Sequence, residues 1–154
     1  MPTFTSPVTG AAQTGLTSPT YTIVTDTPPS YLAKQVYVSA LGGTQTGVLP
    51  HSGSNPFTTT IWRPAQIKQI GKVNPTSGLL PTPPRNVFKY VTRKGVLPLA
   101  GQPYQTMVVT TTIEMVAGSD LAAPTDVRAA LSMHFGCIAQ QSAAIGDGAI
   151  QGVI

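Results

Sequence analysis

The sequence has few charged residues, one cysteine and no long apolar run. Only 9% of its 154 residues are charged, whereas about a quarter is usual in globular proteins. Cys137 is the single cysteine, so an intramolecular disulfide framework is excluded and a reducing compartment is expected. No stretch approaches the roughly 18 apolar residues of a membrane-spanning helix. The first ten residues lack both the basic and the apolar region of a signal peptide, which favours a cytoplasmic product.

Residues that could support catalysis or bind a metal are also scarce. Glu114 is predicted at the end of a strand, and Asp120 and Asp126 near the start of a helix, so no pair of carboxylates is set up for acid–base chemistry. His134 and Cys137 are three residues apart, but no second pair of ligands accompanies them. Phosphate-binding glycine loops and nucleophile elbows are absent as well. We therefore predict a protein that is not an enzyme and that binds no cofactor and no metal.

Glycine and proline are abundant, with 15 of each, and threonine is frequent. This composition favours short strands joined by many turns, with hydroxyl side chains rather than charges on the outer faces. A chain of 154 residues is the size of one ordinary domain. We expect a single domain over residues 1–154, with a β-strand region at 1–117 and a helical region at 118–154.

The charges are unevenly distributed along the chain. Eight of the nine basic residues lie between Lys34 and Lys94, and no acidic residue occurs from Thr27 to Ile113. A field of one sign raises the local concentration of oppositely charged molecules, so a polyanionic partner fits the middle of the chain. A solvated basic surface without a partner explains the same composition, and the charge pattern alone does not separate the two.

The Thr, Ser, Pro and Gly of the N-terminus favour an extended arm or a loose hairpin, and alternation of apolar and polar residues then predicts an antiparallel sheet of about five strands. Residues 1–20 are an extended arm or a loose hairpin, and 21–26 is a short strand. Clusters of Gly, Ser and Pro predict loops at 41–56, 74–84 and 94–103. The five predicted strands of the sheet are 31–40, 57–62, 65–73, 85–93 and 104–117.

The pattern changes from strand to helix after residue 118. Pro124 suits the first turn of a helix, and Asp126 suits its positive N-terminal region. This helix is predicted to end near Gln141, and Ser142 is predicted to cap a second, shorter helix. The apolar residues at helical spacing are Val127, Leu131, Phe135 and Ile138. The predicted fold class is therefore α+β, with two C-terminal helices.

One face of the predicted sheet carries the cations. In an extended strand, Arg85, Lys89 and Arg93 point to the same side. If 65–73 pairs with this strand as a hairpin, Lys68 and Lys72 join them. The last strand then adds hydroxyl groups and one aromatic ring on that side, from Tyr104, Thr106 and Thr110. Cations, hydroxyls and an aromatic ring together are typical of a surface that binds RNA.

This arrangement resembles the coat proteins of single-stranded RNA bacteriophages, the levivirus family. "NVFKYVTR" is similar to the family strand with a Lys-Tyr pair and alternating RNA-facing residues. "QTMVVTTTIEMVAGSD" is similar to the strand that runs into the first helix. "DVRAALSMHFGCIAQQSAAIGDGAI" is similar to the helix, break and Ser-capped helix that follow.

The resemblance implies an intertwined homodimer, in which two sheets join edge to edge and each chain's helices pack over the partner's sheet. Dimers would assemble into a quasi-equivalent icosahedral virion shell, made in the bacterial host cytoplasm. The implied dimer-interface residues are Met107, Val109, Ile113 and Met115 on the sheet and Val127, Leu131, Phe135 and Ile138 on the helix. The implied loop between dimers includes Gly95, Pro98, Gly101 and Pro103.

The resemblance also implies that the basic face lies inside the shell and binds the phage RNA. An operator hairpin bound to the same face would repress replicase translation and mark the genome for packaging. Val91 stands where the family pattern favours a hydroxyl group. The predicted RNA-contacting residues are Lys68, Lys72, Arg85, Lys89, Val91, Arg93, Tyr104, Thr106 and Thr110. No membrane partner and no small-molecule substrate are expected.

Two other classes of protein fit the same sequence. A small dimeric RNA-binding regulator would share the basic sheet but would form no shell. A pilus or tail subunit would carry the cations incidentally. The formation of large uniform particles by the purified protein distinguishes the coat protein from both.

Overall fold

The computed structural model describes residues 1–153, which form one six-stranded antiparallel sheet followed by three helices. The strands lie in the sheet in chain order. They are β1 (Val8–Thr9), β2 (Thr17–Asp26), β3 (Ala33–Thr44), β4 (Phe57–Trp62), β5 (Arg85–Val96) and β6 (Gln105–Val116). The helices are α1 (Ser119–Ala122), α2 (Pro124–Gln140) and α3 (Ser142–Gln151). None of the helices in residues 1–153 is long and apolar enough to cross a membrane.

The N-terminal residues form a hairpin that also contacts the C-terminal helix. β1 pairs with β2, with Val8 opposite Tyr21. Gln13, in the turn between them, donates from Nε2 to the Ser142 carbonyl oxygen at 3.0 Å and to its Oγ at 2.6 Å. Thr14 Oγ1 donates to the Asp147 carboxylate at 2.7 Å. The hairpin therefore positions the start of α3 within the same chain.

The prediction of a strand at 65–73 is wrong. Residues 63–84 form an irregular connection between β4 and β5, and β4 pairs directly with β5, with Trp62 opposite Lys89. The apolar residues of this segment, Ile67, Ile70 and Val73, are three positions apart, so a strand could not place them on one face. Six strands rather than five result, because β1 and β2 belong to the same sheet as the rest.

The side chain of Asn86 holds this connection against the sheet. β4 ends opposite Lys89, so the first residues of β5 have no strand partner on that side. Asn86 Oδ1 accepts from the Lys68 backbone N–H at 2.7 Å, and its Nδ2 donates to the Lys68 carbonyl at 3.0 Å. Asn86 is only 2% exposed. Its amide therefore replaces the two backbone hydrogen bonds that a neighbouring strand would have made.

The helical prediction is confirmed for two helices and misses a third. α2 begins at Pro124 and ends at Gln140, and α3 begins at Ser142. Ser142 is the first residue of α3 rather than its cap. The additional α1 is a single turn between β6 and α2, and it follows Gly118, whose φ of 90° is the left-handed conformation that favours glycine.

The core of the isolated chain is small. α2 contains no buried residue. Within residues 1–153, the buried apolar residues are Ala33, Val38, Ile61, Val91 and Ala117. Much of the apolar surface of β6 and α2 is consequently available to other molecules.

Candidate nucleic-acid and assembly surfaces

Strand register places the predicted cations on one face of the sheet. Lys89 in β5 lies opposite Trp62 in β4 and Thr112 in β6, and residues paired across antiparallel strands point to the same side. Arg85, Val87, Val91 and Arg93 share that side by alternation. We call this the basic face. The same side also carries Thr58 and Thr60 of β4 and Thr106, Val108, Thr110, Glu114 and Val116 of β6.

A cleft of about 680 Å³ opens on the basic face and is lined mainly by cations. Arg63 and Lys68 reach it from the connection that follows β4, and the other three cations come from β5. The lining residues are Trp62, Arg63, Pro64, Lys68, Arg85, Val87, Lys89 and Arg93. We call this the cation cleft.

The positive charge of the cleft is little compensated. Within residues 1–153, Arg85 Nη1 forms an ion pair with Glu114 Oε2 at 3.4 Å. Both side chains are at least half exposed, with 61% for Arg85 and 50% for Glu114. Exposed pairs of this kind contribute little. The other cations of the cleft have no acidic partner in that part of the chain, so the cleft attracts polyanions.

Arg93 is oriented by a chain of hydrogen bonds across the sheet. Its Nη1 donates to Thr60 Oγ1 at 3.3 Å. Thr60, fully buried, donates to Gln35 Oε1 at 2.8 Å, and Gln35 Nε2 donates to the Asp26 carboxylate at 2.6 Å. A guanidinium group has five N–H donors, so this single contact leaves Arg93 able to bind a phosphate.

The remaining predicted RNA-contacting residues lie in different settings. Lys68 reaches the cleft from the connection rather than from a strand. Lys72 lies farther along this connection, beside Val73, outside the cleft. Val91 is only 8% exposed, so it has little surface for a ligand. Tyr104 immediately precedes β6 and is partly buried.

Sequence reasoning missed Trp62 and Arg63. The prediction paired residues 65–73 with β5, so it did not place β4 next to the cations. Once β4 pairs with β5, the alternation of Thr58, Thr60 and Trp62 puts all three on the basic face. The sequence of β4 therefore shows which of its side chains share a face, but it does not show that β4 pairs with β5.

The predicted dimer residues divide into two groups. Val127 and Leu131 of α2 are partly buried and line a small cleft with Ile113 and Met115 of the same chain. The other four lie at the other end of β6 and farther along α2 and are exposed. Their exposures are 48% for Met107, 54% for Val109, 45% for Phe135 and 43% for Ile138.

Comparison with known proteins identifies the family. No family model and no curated protein matches the chain. A solved structure does match, described as "Virus-like particle of bacteriophage ESE020". It is 47% identical in sequence, the match covers 100% of both chains, and the TM-score is 0.96. This chain belongs to that family of phage coat proteins.

The loop that joins β5 and β6 in this coat protein is shorter than predicted. β5 continues to Val96, so Gly95 is a buried strand residue and not part of a loop between dimers. Pro98, Gly101 and Pro103 do lie in the exposed connection between the two strands. Lys94, assigned to the loop by the sequence pattern, also belongs to β5.

Lys94 and Gly95 secure a second loop, residues 45–56, to the sheet of the coat protein. Lys94 Nζ donates to the Leu49 carbonyl at 3.1 Å and to Asn55 Oδ1 at 2.7 Å, and lies 5.0 Å from the centre of the Phe57 ring. Burial lowers the pKa of Lys94 below its ordinary value. Lys94 therefore holds the loop 45–56 in place and lies on the opposite face of the sheet from the cation cleft.

Gly95→Ala is expected to lower the free energy of unfolding by about 1–3 kcal/mol, the usual cost of an overpacked site. A Cβ at this position would lie 2.9 Å from Asn55 Cα, which is backbone and cannot move aside easily. Denaturant unfolding would measure the change. Gly53→Ala is the matched control, because a Cβ there meets no atom within 4 Å; an equal loss in both variants would contradict the packing of Asn55 on Gly95.

Proposed function

We propose that this coat protein encloses the genome of a single-stranded RNA bacteriophage. It is made in the host cytoplasm, dimerises, and assembles into an icosahedral shell whose basic face points inward. The observation that carries the proposal is the full-length similarity, at 47% identity, to a chain described as a virus-like particle. The cation cleft supports the choice of RNA, since it offers five cations beside hydroxyl groups and an aromatic ring.

The dimer forms along β6. This strand has 12 residues, pairs only with β5, and is the last strand of the sheet. Its free edge therefore carries unpaired N–H and C=O groups, which a second strand satisfies. A partner's β6 aligned in the opposite direction joins the two sheets into one.

Apolar burial accompanies this pairing. Met107 and Val109 are exposed on the face of β6 opposite the cations, and Phe135 and Ile138 are exposed on α2. Packing α2 of each chain over the partner's β6 covers all four. Burial of each side chain contributes about 1.5–3 kcal/mol, which favours the dimer over two separate folded chains.

An operator hairpin would bind on the same basic face. Thr106 and Thr110 provide exposed hydroxyl groups there, which hydrogen-bond to base edges and to ribose. Tighter binding of an RNA hairpin than of a single strand of equal length would support this part of the proposal. Equal affinity for both would restrict the proposal to general packaging of RNA.

Electron microscopy of the purified protein tests the shell. Large uniform particles that contain RNA are expected. Dimers alone at high concentration, with RNA present, would instead favour the small RNA-binding regulator. Particles without RNA, formed equally well from RNA-free protein, would contradict the role of the basic face in packaging.

Lys89→Ala is expected to weaken RNA binding and to reduce its dependence on salt. Each phosphate contact on a single strand contributes about 0.7 to the slope of log affinity against log salt. Titration of the protein with single-stranded RNA at several salt concentrations would measure this slope. Lys72→Ala is the matched control, since Lys72 lies outside the cation cleft. An unchanged slope for Lys89→Ala, or an equal change in both variants, would contradict the assignment of the cleft.

A further inference from the structure

Trp62 is the single tryptophan of the chain and lines the cation cleft. It is the last residue of β4 and is paired with Lys89 of β5. Paired side chains on one face of a sheet are about 5 Å apart at Cβ. Arg63 follows Trp62 in sequence, and Lys68 lines the same cleft. The indole ring therefore lines the same cleft as these cations.

The indole of Trp62 forms no aromatic pair and no cation–π pair within residues 1–153. Within residues 1–153 the aromatic pairs are Tyr21 with Phe57, Tyr37 with His51 and His134 with Phe135. The one cation–π pair in that range is Lys94 with Phe57. Trp62 belongs to none of these pairs and is partly exposed. It is thus a partly exposed aromatic side chain with no stacking partner among the described residues.

Cations alone would bind any polyanion, whereas an aromatic ring among them favours a polyanion that carries flat bases, namely a nucleic acid. A nucleobase has a flat π surface that stacks on indole, and the phosphates on either side of it carry the charges that Lys89, Arg63 and Lys68 would neutralise. A double-stranded helix keeps its bases stacked on each other, so only an unpaired base could reach the ring.

We propose that Trp62 is a stacking platform for an unpaired nucleobase of RNA held in the cation cleft. This inference rests on the proposed binding of RNA to the basic face and names the feature of the RNA that the cleft recognises. Arg63, Lys68 and Lys89 bind the flanking phosphates. The site selects single-stranded segments, without preference for one base, because every base has a π face.

Tryptophan fluorescence tests the proposal directly, because Trp62 is the only tryptophan. Protein released from its particles and freed of RNA is titrated with oligoadenylate and with an abasic ribose-phosphate oligomer of equal length. Both should bind with a steep dependence on salt. Only oligoadenylate should quench the emission of Trp62 at saturation.

Two variants separate stacking from a structural role. Trp62→Leu should weaken oligoadenylate binding about 5- to 100-fold, which corresponds to the loss of one stacked base, and should leave the affinity for the abasic oligomer within about twofold. Trp62→Tyr keeps an aromatic face and should restore most of the affinity for oligoadenylate. Circular dichroism and thermal unfolding of both variants would establish that they are folded.

Each outcome bears on a different step. Binding of both oligomers with no quenching, or equal weakening of both by Trp62→Leu, would overturn the stacking platform and leave RNA binding by the basic face in place. Failure of the wild-type protein to bind either oligomer would overturn RNA binding itself. Selective quenching by oligoadenylate together with selective weakening by Trp62→Leu would support the platform.

Discussion

Phe135→Asp is expected to abolish dimers and particles while the single chain keeps its secondary structure. Phe135 is 45% exposed in the isolated chain and lies on a helix with no buried residue, so a carboxylate there costs the monomer little. In the proposed dimer the same position is covered by the partner's β6. A two-fold dimer would lose two phenyl groups and would have to desolvate two charges, at a cost of about 3 kcal/mol or more. Size-exclusion chromatography and electron microscopy would measure the loss, and circular dichroism would report on folding.

Met133→Asp is the matched control for this experiment. Met133 is also exposed on α2, and two residues along a helix turn the side chain by about 200°, which places it away from Phe135. Its substitution should leave dimers and particles intact. Normal particles from Phe135→Asp would contradict the packing of α2 over the partner, and loss of particles from both variants would show that the whole surface of α2 is involved.

The strands and helices that could be predicted from sequence are those whose own residues determine them. β6 alternates over its whole length, and its predicted bounds of 104–117 differ from the observed Gln105–Val116 by one residue at each end. α2 was recognised from Pro124 and from apolar residues at helical spacing. These local patterns depend only on the period of the element.

The alternation within a strand does not determine which other strands pair with it. The segment 65–73 contains cations and isoleucines that suggest a strand, but the pairing of β4 with β5 excludes it from the sheet. The same pairing brings Trp62 and Arg63 to the cations and leaves Lys72 outside. Three of the predicted cations, Arg85, Lys89 and Arg93, share the cleft because they lie on one strand. Residues from separate elements could be combined correctly only once the strand order was known.

Asn86 shows why the connection at 63–84 could not be predicted. An asparagine in the second position of a strand is usually unremarkable, and its environment depends on which segment lies beside it. Here its amide is almost fully buried and bonds to both backbone groups of Lys68. One side chain thereby fixes the path of a connection that contains several prolines and cannot pair as a strand.

Asn86→Leu is accordingly expected to lower the free energy of unfolding by about 1–3 kcal/mol. The substitution preserves most of the volume but removes both hydrogen bonds to the Lys68 backbone, each of which contributes about 0.5–1.5 kcal/mol. Denaturant unfolding would measure the loss. Asn74→Ala is the matched control within the same connection: its Oδ1 accepts from the Thr76 and Ser77 N–H groups, but both contacts are exposed, so its loss should cost less than about 1 kcal/mol.

Loss of this anchor should also reach the cation cleft. Lys68 enters the cleft because its backbone is held by Asn86, so release of the connection removes one cation from the RNA site without changing the charge of the protein. Asn86→Leu should therefore reduce the salt dependence of RNA binding by about as much as Lys68→Ala, roughly 0.7 in the logarithmic slope. A stability loss no greater than that of Asn74→Ala, or a salt slope equal to that of the wild-type protein, would mean that Lys68 keeps its position without Asn86.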